Sequence, residues 1–149
     1  ALNLNHARMM AQSFMVSADN AHAIHPNHPE YADPANAPVM GGGVVLKFNA
    51  AQRYTTDGVS ASVFRKICEK AGVPTQTFYN RADMIGGSTL GHISLTHVSV
   101  PTADIGLAQL AMHSCYETAG VADVGHLETA MAAFYGATLR VRGETWEIA

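Results

Sequence analysis

A strand–helix–strand pattern in the middle of the chain most constrains its fold. Val44–Asn49 (VVLKFN) and Thr75–Asn80 (TQTFYN) are short runs typical of buried strands. Between them, Asp57 is a favourable N-cap for a helix over Gly58–Ala71, and Gly72 provides its stop. Strands that alternate with helices indicate an α/β domain with a mixed or parallel sheet.

Further elements flank this unit on both sides. Ser13–Ala18 (SFMVSA) is predicted as a buried strand, and Val121–Tyr135 as a helix with Val124, Leu127, Met131 and Phe134 on one face. Other predictions are a helix over Leu4–Gln12, a long loop over Asp19–Gly43, a turn over Arg81–Gly87, a short helix over Ser88–His97, and a loop over Pro101–Ala108 leading to a short strand. The tail to Ala149 has no clear pattern.

Composition narrows the class of protein. Hydrophobic residues make up 48 % of the 149 residues, enough for a packed core, while charged residues make up only 14 %. So little charge suggests a surface that continues into a partner, and we expect a homo-oligomer. The net charge of -3 indicates no binding to nucleic acid or to membranes. Two cysteines suit a reducing cytoplasm, and the opening Ala1 suggests that the chain starts inside a longer protein.

The densest group of polar side chains follows the first predicted strand directly. It begins at Asp19 and includes His22, His25 and His28. A carboxylate and imidazoles at the end of a strand are suitable zinc ligands. A polar loop with surface histidines explains the same pattern, and the spacing alone does not decide between the two.

Three more residues are candidates for a site. His113 follows a strand-like stretch, although a single histidine is more often a hydrogen-bonded core residue. Lys47 lies within a strand pattern and must face solvent or a pocket, because an unpaired buried charge is costly. Tyr54 is placed to donate a hydrogen bond to an oxyanion or to cover the core. Arg81 and Asp83, before the Gly86-Gly87 pair, give a weaker signal and are expected to pair with each other.

Four sequence strings together resemble the aspartyl aminopeptidase family. They are SADNAHAIHPNH, VVLKFNAAQRY, VPTQTFYNRADMIGGSTLG and ADIGLAQLAMHS, and they span Ser13 to Tyr135 in the family's order. The resemblance implies the C-terminal part of a catalytic domain with a layered α/β/α fold and a mixed, mostly parallel sheet. It also implies two metal ions, usually zinc, held by five side chains, and assembly into a dodecamer.

The resemblance assigns roles residue by residue. Asp19 of the SAD motif and His113 of the AMHS motif are implied as metal ligands. His22, Lys47 and Tyr54 are implied to line the substrate site, and a cationic Lys47 suits an acidic first residue. The implied reaction is hydrolysis of the first peptide bond by metal-activated water, with a free Glu as general base.

The chain departs from the family pattern in what it lacks. A His, a bridging Asp and a Glu that complete the metal site, and the general-base Glu of a D-x-E-E string, are expected upstream. Four glutamates follow His113 in the sequence, and none of them belongs to such a string: Glu117, Glu128, Glu144 and Glu147. The shell-building domain of the family is also missing. Because only two of the five implied metal ligands lie in this chain, we expect it alone to bind metal weakly and to be inactive.

Three interpretations remain open. The chain is part of an aminopeptidase completed by the missing N-terminal portion, or a non-catalytic assembly or binding module derived from one. The third is a small mononuclear metal-binding domain that uses Asp19, His25 and His113.

Overall fold

The fold, described by a computed structural model, is a mixed α/β arrangement. The structure describes the backbone of residues 2–149 and the side chains of residues 5–149. Its helices are α1 (Leu2–Ala11), α2 (Gly58–Lys70), α3 (Leu90–Leu95) and α4 (Val121–Gly136). Its strands are β1 (Met15–Ala18), β2 (Ala21–His22), β3 (Val44–Phe48), β4 (Thr75–Tyr79), β5 (Thr102–Gly106), β6 (Ala108–Leu110), β7 (Thr118–Ala119), β8 (Leu139–Arg142) and β9 (Thr145–Ile148). A 3-10 turn covers Pro29–Tyr31.

The main sheet has the order β1-β5-β3-β4 and is mostly parallel. β1 runs parallel to β5 and β3 runs parallel to β4, whereas β3 and β5 are antiparallel. This confirms the mixed, mostly parallel sheet. A smaller sheet, β2-β6-β7, continues from the ends of β1 and β5, and β8 and β9 form a separate hairpin.

Helix α2 forms where its local signals predict it. Asp57 accepts a hydrogen bond from the Ser60 amide at 2.7 Å, and the Ser60 hydroxyl accepts one from the Asp57 amide at 2.9 Å. This capping box satisfies amides that the first helical turn leaves free. The apolar face of α2 carries Phe64 and Cys68, which are buried against the sheet.

The two faces of the main sheet pack against different groups of residues. Val44 and Leu46 of β3 pack with α2 and α4 in the larger core, whereas Val45 between them joins a second cluster with Tyr54 and Phe78 on the opposite face. Helix α3 lies on that second face, since the Gly91 amide donates to Ser17 of β1. Helices on both faces give the layered α/β/α arrangement.

Two predictions about local structure are wrong. Residues 102–106 form the buried strand β5 rather than a loop, and the expected loop over Asp19–Gly43 contains the short strand β2. Both strands form through hydrogen bonds to distant segments, which local sequence does not reveal. The C-terminal tail, for which no element was predicted, forms the β8–β9 hairpin. The ring of Trp146 in this hairpin packs edge-on against that of Phe14, with ring centres 5.8 Å apart.

Candidate active site

The candidate residues follow or lie within strands of the main sheet and of the smaller sheet that continues it. Asp19 follows β1, His22 lies in β2, Lys47 lies in β3, and His113 follows β6. The backbone around Asp19 is held against β5, because its amide donates to the Ile105 carbonyl at 2.9 Å. The structure therefore brings together segments about ninety residues apart in sequence.

Lys47 is the most enclosed of these side chains. Only 3 % of it is exposed, and its ammonium donates to the carbonyls of Asn20 at 3.0 Å and Asp19 at 3.3 Å. The ammonium also lies 3.8 Å from the Asp19 carboxylate and 4.6 Å from the centre of the Tyr54 ring. Burial lowers the pKa of Lys47, and the charges of Asp19 and Asp104 oppose that shift.

The surroundings of His22 favour its neutral form by lowering its pKa. Partial burial lowers its pKa, and the nearby charges of Lys47 and His113 lower it further. A neutral imidazole keeps one ring nitrogen free to accept a hydrogen bond. His22 is therefore suited to bind an uncharged N–H or O–H group of a substrate.

Tyr54 is held in the protonated form. Burial raises the pKa of its phenol, and the carboxylates of Asp19 and Asp104 raise it further. A phenol that stays protonated is a hydrogen-bond donor, and the ring of Tyr54 is part of the second core cluster. It can stabilise negative charge that develops on a substrate oxygen.

His113 lies in a constrained turn after β6. Its φ is +67° and that of Ala111 is +54°, values in the left-handed region that few non-glycine residues adopt. The His113 amide donates to the Glu117 carboxylate at 2.6 Å, which stabilises the turn. Such strained positions are concentrated at functional sites, because surrounding contacts must hold them in place.

The five candidate residues form one electrostatically connected region. Asp19 acts on Lys47 and Tyr54, and Lys47 and His113 both act on His22. The carboxylate of Asp19 is 54 % exposed and His113 is exposed, so an oxygen and a nitrogen donor remain accessible. These donors suit zinc in type, but two protein ligands leave a zinc ion incompletely coordinated.

No group of three potential metal ligands converges among the side chains of residues 5–149. The mononuclear arrangement of Asp19, His25 and His113 is therefore not formed. His25 instead lies in the loop after β2, with its ring 5.4 Å from that of His28.

Sequence analysis missed Asp104, which lies fully buried beside this region. Its carboxylate accepts hydrogen bonds from the Thr55 amide at 2.5 Å, the Thr55 hydroxyl at 2.7 Å and the Thr89 hydroxyl at 2.8 Å. Asp104 thereby fixes the segment that carries Tyr54 and the approach to α3. An acidic residue within an apolar stretch was the available signal, but that stretch was interpreted as a loop.

A cavity of about 320 Å³ opens next to the candidate residues. It lies between the loop that carries His25 and His28 and the loop after β4, and both His22 and Tyr54 line it. Arg81 lies at its rim and donates to Asp83 at 2.7 Å, as the sequence predicted. The Gly86-Gly87 pair also lines it, and the Gly86 carbonyl accepts a hydrogen bond from Arg53 at 2.7 Å.

Comparisons with known proteins agree with this geometry. The model of the family described as "Aminopeptidase I zinc metalloprotease (M18)" matches residues 1–135. A "Probable M18 family aminopeptidase 2" of Clostridium acetobutylicum is 47 % identical over 128 residues, which cover 86 % of this chain and 30 % of that protein. One from Pseudomonas aeruginosa is 45 % identical over 132 residues, or 89 % of this chain and 31 % of that protein.

Solved structures show the same fold. The structure titled "Cryo-EM structure of the Ape4 and Nbr1 complex" superposes with a TM-score of 0.83 at 39 % identity, over 85 % of this chain and 24 % of that one. The crystal structure of prApe1 gives a TM-score of 0.82 at 29 % identity, over 85 % and 27 %. The chain thus spans about 30 % of the length of the curated relatives that it matches.

Proposed function

The chain belongs to the M18 family of aminopeptidase I zinc metalloproteases, and on that premise we propose that it supplies part of the active site of an aminopeptidase. The enzyme removes the first residue of a peptide by metal-assisted hydrolysis. The observation that carries the proposal is the accessible pair of donors, Asp19 and His113, near the buried Lys47 and Tyr54 and the more exposed His22.

Each residue of this group has a distinct role in the proposal. Asp19 and His113 hold zinc, which when bound activates water and polarises the scissile carbonyl. His22, as a neutral imidazole, orients the substrate, and the phenol of Tyr54 donates a hydrogen bond to the developing oxyanion. Lys47 fixes the backbone of Asp19 and Asn20 and supplies positive charge at short range.

The first residue of the substrate is proposed to be acidic. Lys47 is a cation within this group, and its charge acts through a poorly solvated environment in which electrostatic interactions are strong. The ammonium of Lys47 already donates hydrogen bonds to two carbonyls. We therefore propose that it favours an acidic first residue through long-range electrostatic attraction rather than through a direct ion pair.

The remaining ligands and the general base are proposed to come from the part of the enzyme outside this chain. Among residues 5–149 no third potential ligand joins Asp19 and His113. We therefore expect the chain alone to bind zinc weakly and to hydrolyse nothing at a normal enzyme rate. A non-catalytic binding module is the second candidate, favoured by this same shortage of ligands.

Oligomerisation and location complete the proposal. One solved relative is described as a dodecamer, and here large apolar side chains such as Ile85, Leu90 and Val121 are mostly exposed. We propose a homo-oligomer in the reducing cytoplasm, consistent with two cysteines that form no disulfide. No helix within residues 2–149 is both long enough and apolar enough to cross a bilayer.

A chimeric enzyme tests the proposal. Residues 1–135 replace the matching segment of the Clostridium acetobutylicum relative, and release of the first residue from Asp-Ala-amide is measured with added zinc. We expect turnover that Asp19→Ala and His113→Ala each reduce at least a hundredfold. A folded chimera without turnover, whose parent is active, supports the binding module instead.

A further inference from the structure

The cavity next to the candidate site is built from two loops that are fastened to each other. The backbone of Ala32 pairs with that of Asn80 as an isolated bridge, and Arg81 donates to the Glu30 carbonyl. The loop after β4 is also held from below by the hydrogen bond from Arg53 to the Gly86 carbonyl. The walls are therefore fixed before a ligand arrives, which lowers the entropic cost of binding.

The lining of the cavity is rich in aromatic and aliphatic groups. Tyr54 and Phe78 form its base, with ring centres 6.1 Å apart, and Met84 and Ile85 form part of one wall. Ile85 is 92 % exposed, so a ligand that contacts it in the cavity removes apolar surface from water.

The charges around the cavity disfavour a cationic ligand group. Among the described residues that line it there is no carboxylate. Its one guanidinium, that of Arg81, is already bound by the Asp83 carboxylate and the Glu30 carbonyl. A lysine ammonium entering here loses its hydration without gaining a carboxylate partner, whereas an uncharged side chain gains from burial.

The cavity shares His22 and Tyr54 with the candidate site but is not lined by Lys47, which is 3 % exposed. In a peptide whose first residue lies toward Lys47, the chain beyond the scissile bond passes His22 and Tyr54. The next side chain then reaches the cavity.

From this geometry we propose that the cavity binds the second residue of the substrate and prefers a large uncharged side chain, aromatic or aliphatic. The inference rests on the proposed function for the direction of the peptide. A contact between the second side chain of the substrate and Ile85 is the most specific consequence of this proposal, because Ile85 lines the cavity and is otherwise almost fully exposed.

Titrations of the full chain with small peptide amides, followed by NMR chemical shifts without metal, test the inference. We expect Ala-Phe-amide to bind about tenfold or more tightly than Ala-Gly-amide and Ala-Lys-amide, since only the phenyl group is buried favourably. Ala-Phe-amide should also bind more tightly than Phe-Ala-amide. The largest chemical-shift changes should occur at Phe78, Ile85 and His22.

Two surface variants make the comparison specific. Ile85→Ser should weaken Ala-Phe-amide several-fold, whereas Val121→Ser, at a position 90 % exposed and outside the cavity, should leave its affinity unchanged. Both positions are exposed, so both variants should fold as the parent does.

Every other outcome overturns the inference. Equal affinity for the three second residues, or equal effects of the two variants, shows that the cavity does not select the second side chain. Tighter binding of Phe-Ala-amide assigns the cavity to the first residue. A parallel zinc titration separates this result from the proposed function, because the preference for the second residue is measured without metal and does not depend on whether Asp19 and His113 bind zinc.

Discussion

The ammonium of Lys47 lies 3.8 Å from the carboxylate of Asp19 while 97 % of the lysine side chain is shielded from solvent. The same ammonium donates to the carbonyls of Asp19 and Asn20, so one buried cation holds the turn that presents a candidate metal ligand. Burying a lysine is costly, and such a residue is kept only where its partners are fixed.

Replacement of this lysine should therefore destabilise the fold. In Lys47→Met the two carbonyls lose their donor, and we expect the free energy of unfolding to fall by about 1–3 kcal/mol. Urea denaturation measures the change. Lys66→Met is the matched control, because the ion pair of Lys66 with Glu69 is exposed and should contribute less than about 1 kcal/mol. Equal effects of the two substitutions contradict the role of Lys47.

The imidazole of His22 should titrate below its ordinary pKa of 6.5, because burial and the charges of Lys47 and His113 disfavour its protonated form. The unfolded chain then binds this proton more readily than the folded one. Unfolding free energy should accordingly rise with pH up to about 6.5, and fall as pH decreases toward the folded pKa.

An NMR titration of the imidazole Cε1–H signals measures the pKa of His22, and the spectrum of His22→Gln identifies its signal. The variant should also lose this part of the pH dependence of stability. A midpoint at or above 6.5 would show that the neutral form is not favoured.

Asp104 should be sensitive even to a nearly isosteric change. Asp104→Asn keeps one acceptor oxygen but places an amide group where Thr55 or Thr89 donates, and we expect a loss of about 1–3 kcal/mol. Asp83→Asn, at an exposed carboxylate, is the control and should change stability by less than about 1 kcal/mol. If Asp104→Asn unfolds at the same urea concentration as the parent, the hydrogen bonds of Asp104 do not stabilise the site.

Gly106 should be required for the position of Asp19. A Cβ atom at Gly106 lies 2.0 Å from the Asp19 carbonyl oxygen, so Gly106→Ala must displace the backbone of the candidate ligand. We expect lower stability and at least tenfold weaker zinc binding in a direct zinc titration followed by NMR chemical shifts. Gly125→Ala, in open space on α4, should instead raise helix stability by up to about 1 kcal/mol. Unchanged zinc affinity in Gly106→Ala argues against Asp19 as a ligand.

The fold was predictable where short-range signals decide structure. Helix α2 forms behind the Asp57 cap, and β3 and β4 lie where apolar runs indicated them. Strand β5 was missed because Asp104 and Gly106 weaken its local β propensity. Its stability comes from Thr55, Thr89 and the backbone of Asp19, all distant in sequence.

The candidate site came from motif resemblance, which pointed to Asp19, His22, Lys47, Tyr54 and His113. The structure places these residues or their segments in one region, and their roles stay predictions. The resemblance did not reveal the buried acceptor Asp104 or the cavity at Ile85. These features depend on how loops from different parts of the chain meet, and single-sequence periodicity contains no information about that.

The most direct test of the account is a crystallographic zinc anomalous difference map of the chain soaked with zinc. The account predicts a peak about 2.0–2.2 Å from both a carboxylate oxygen of Asp19 and a ring nitrogen of His113. A peak at His25 and His28 alone, or zinc bound to only one of Asp19 and His113, would contradict it.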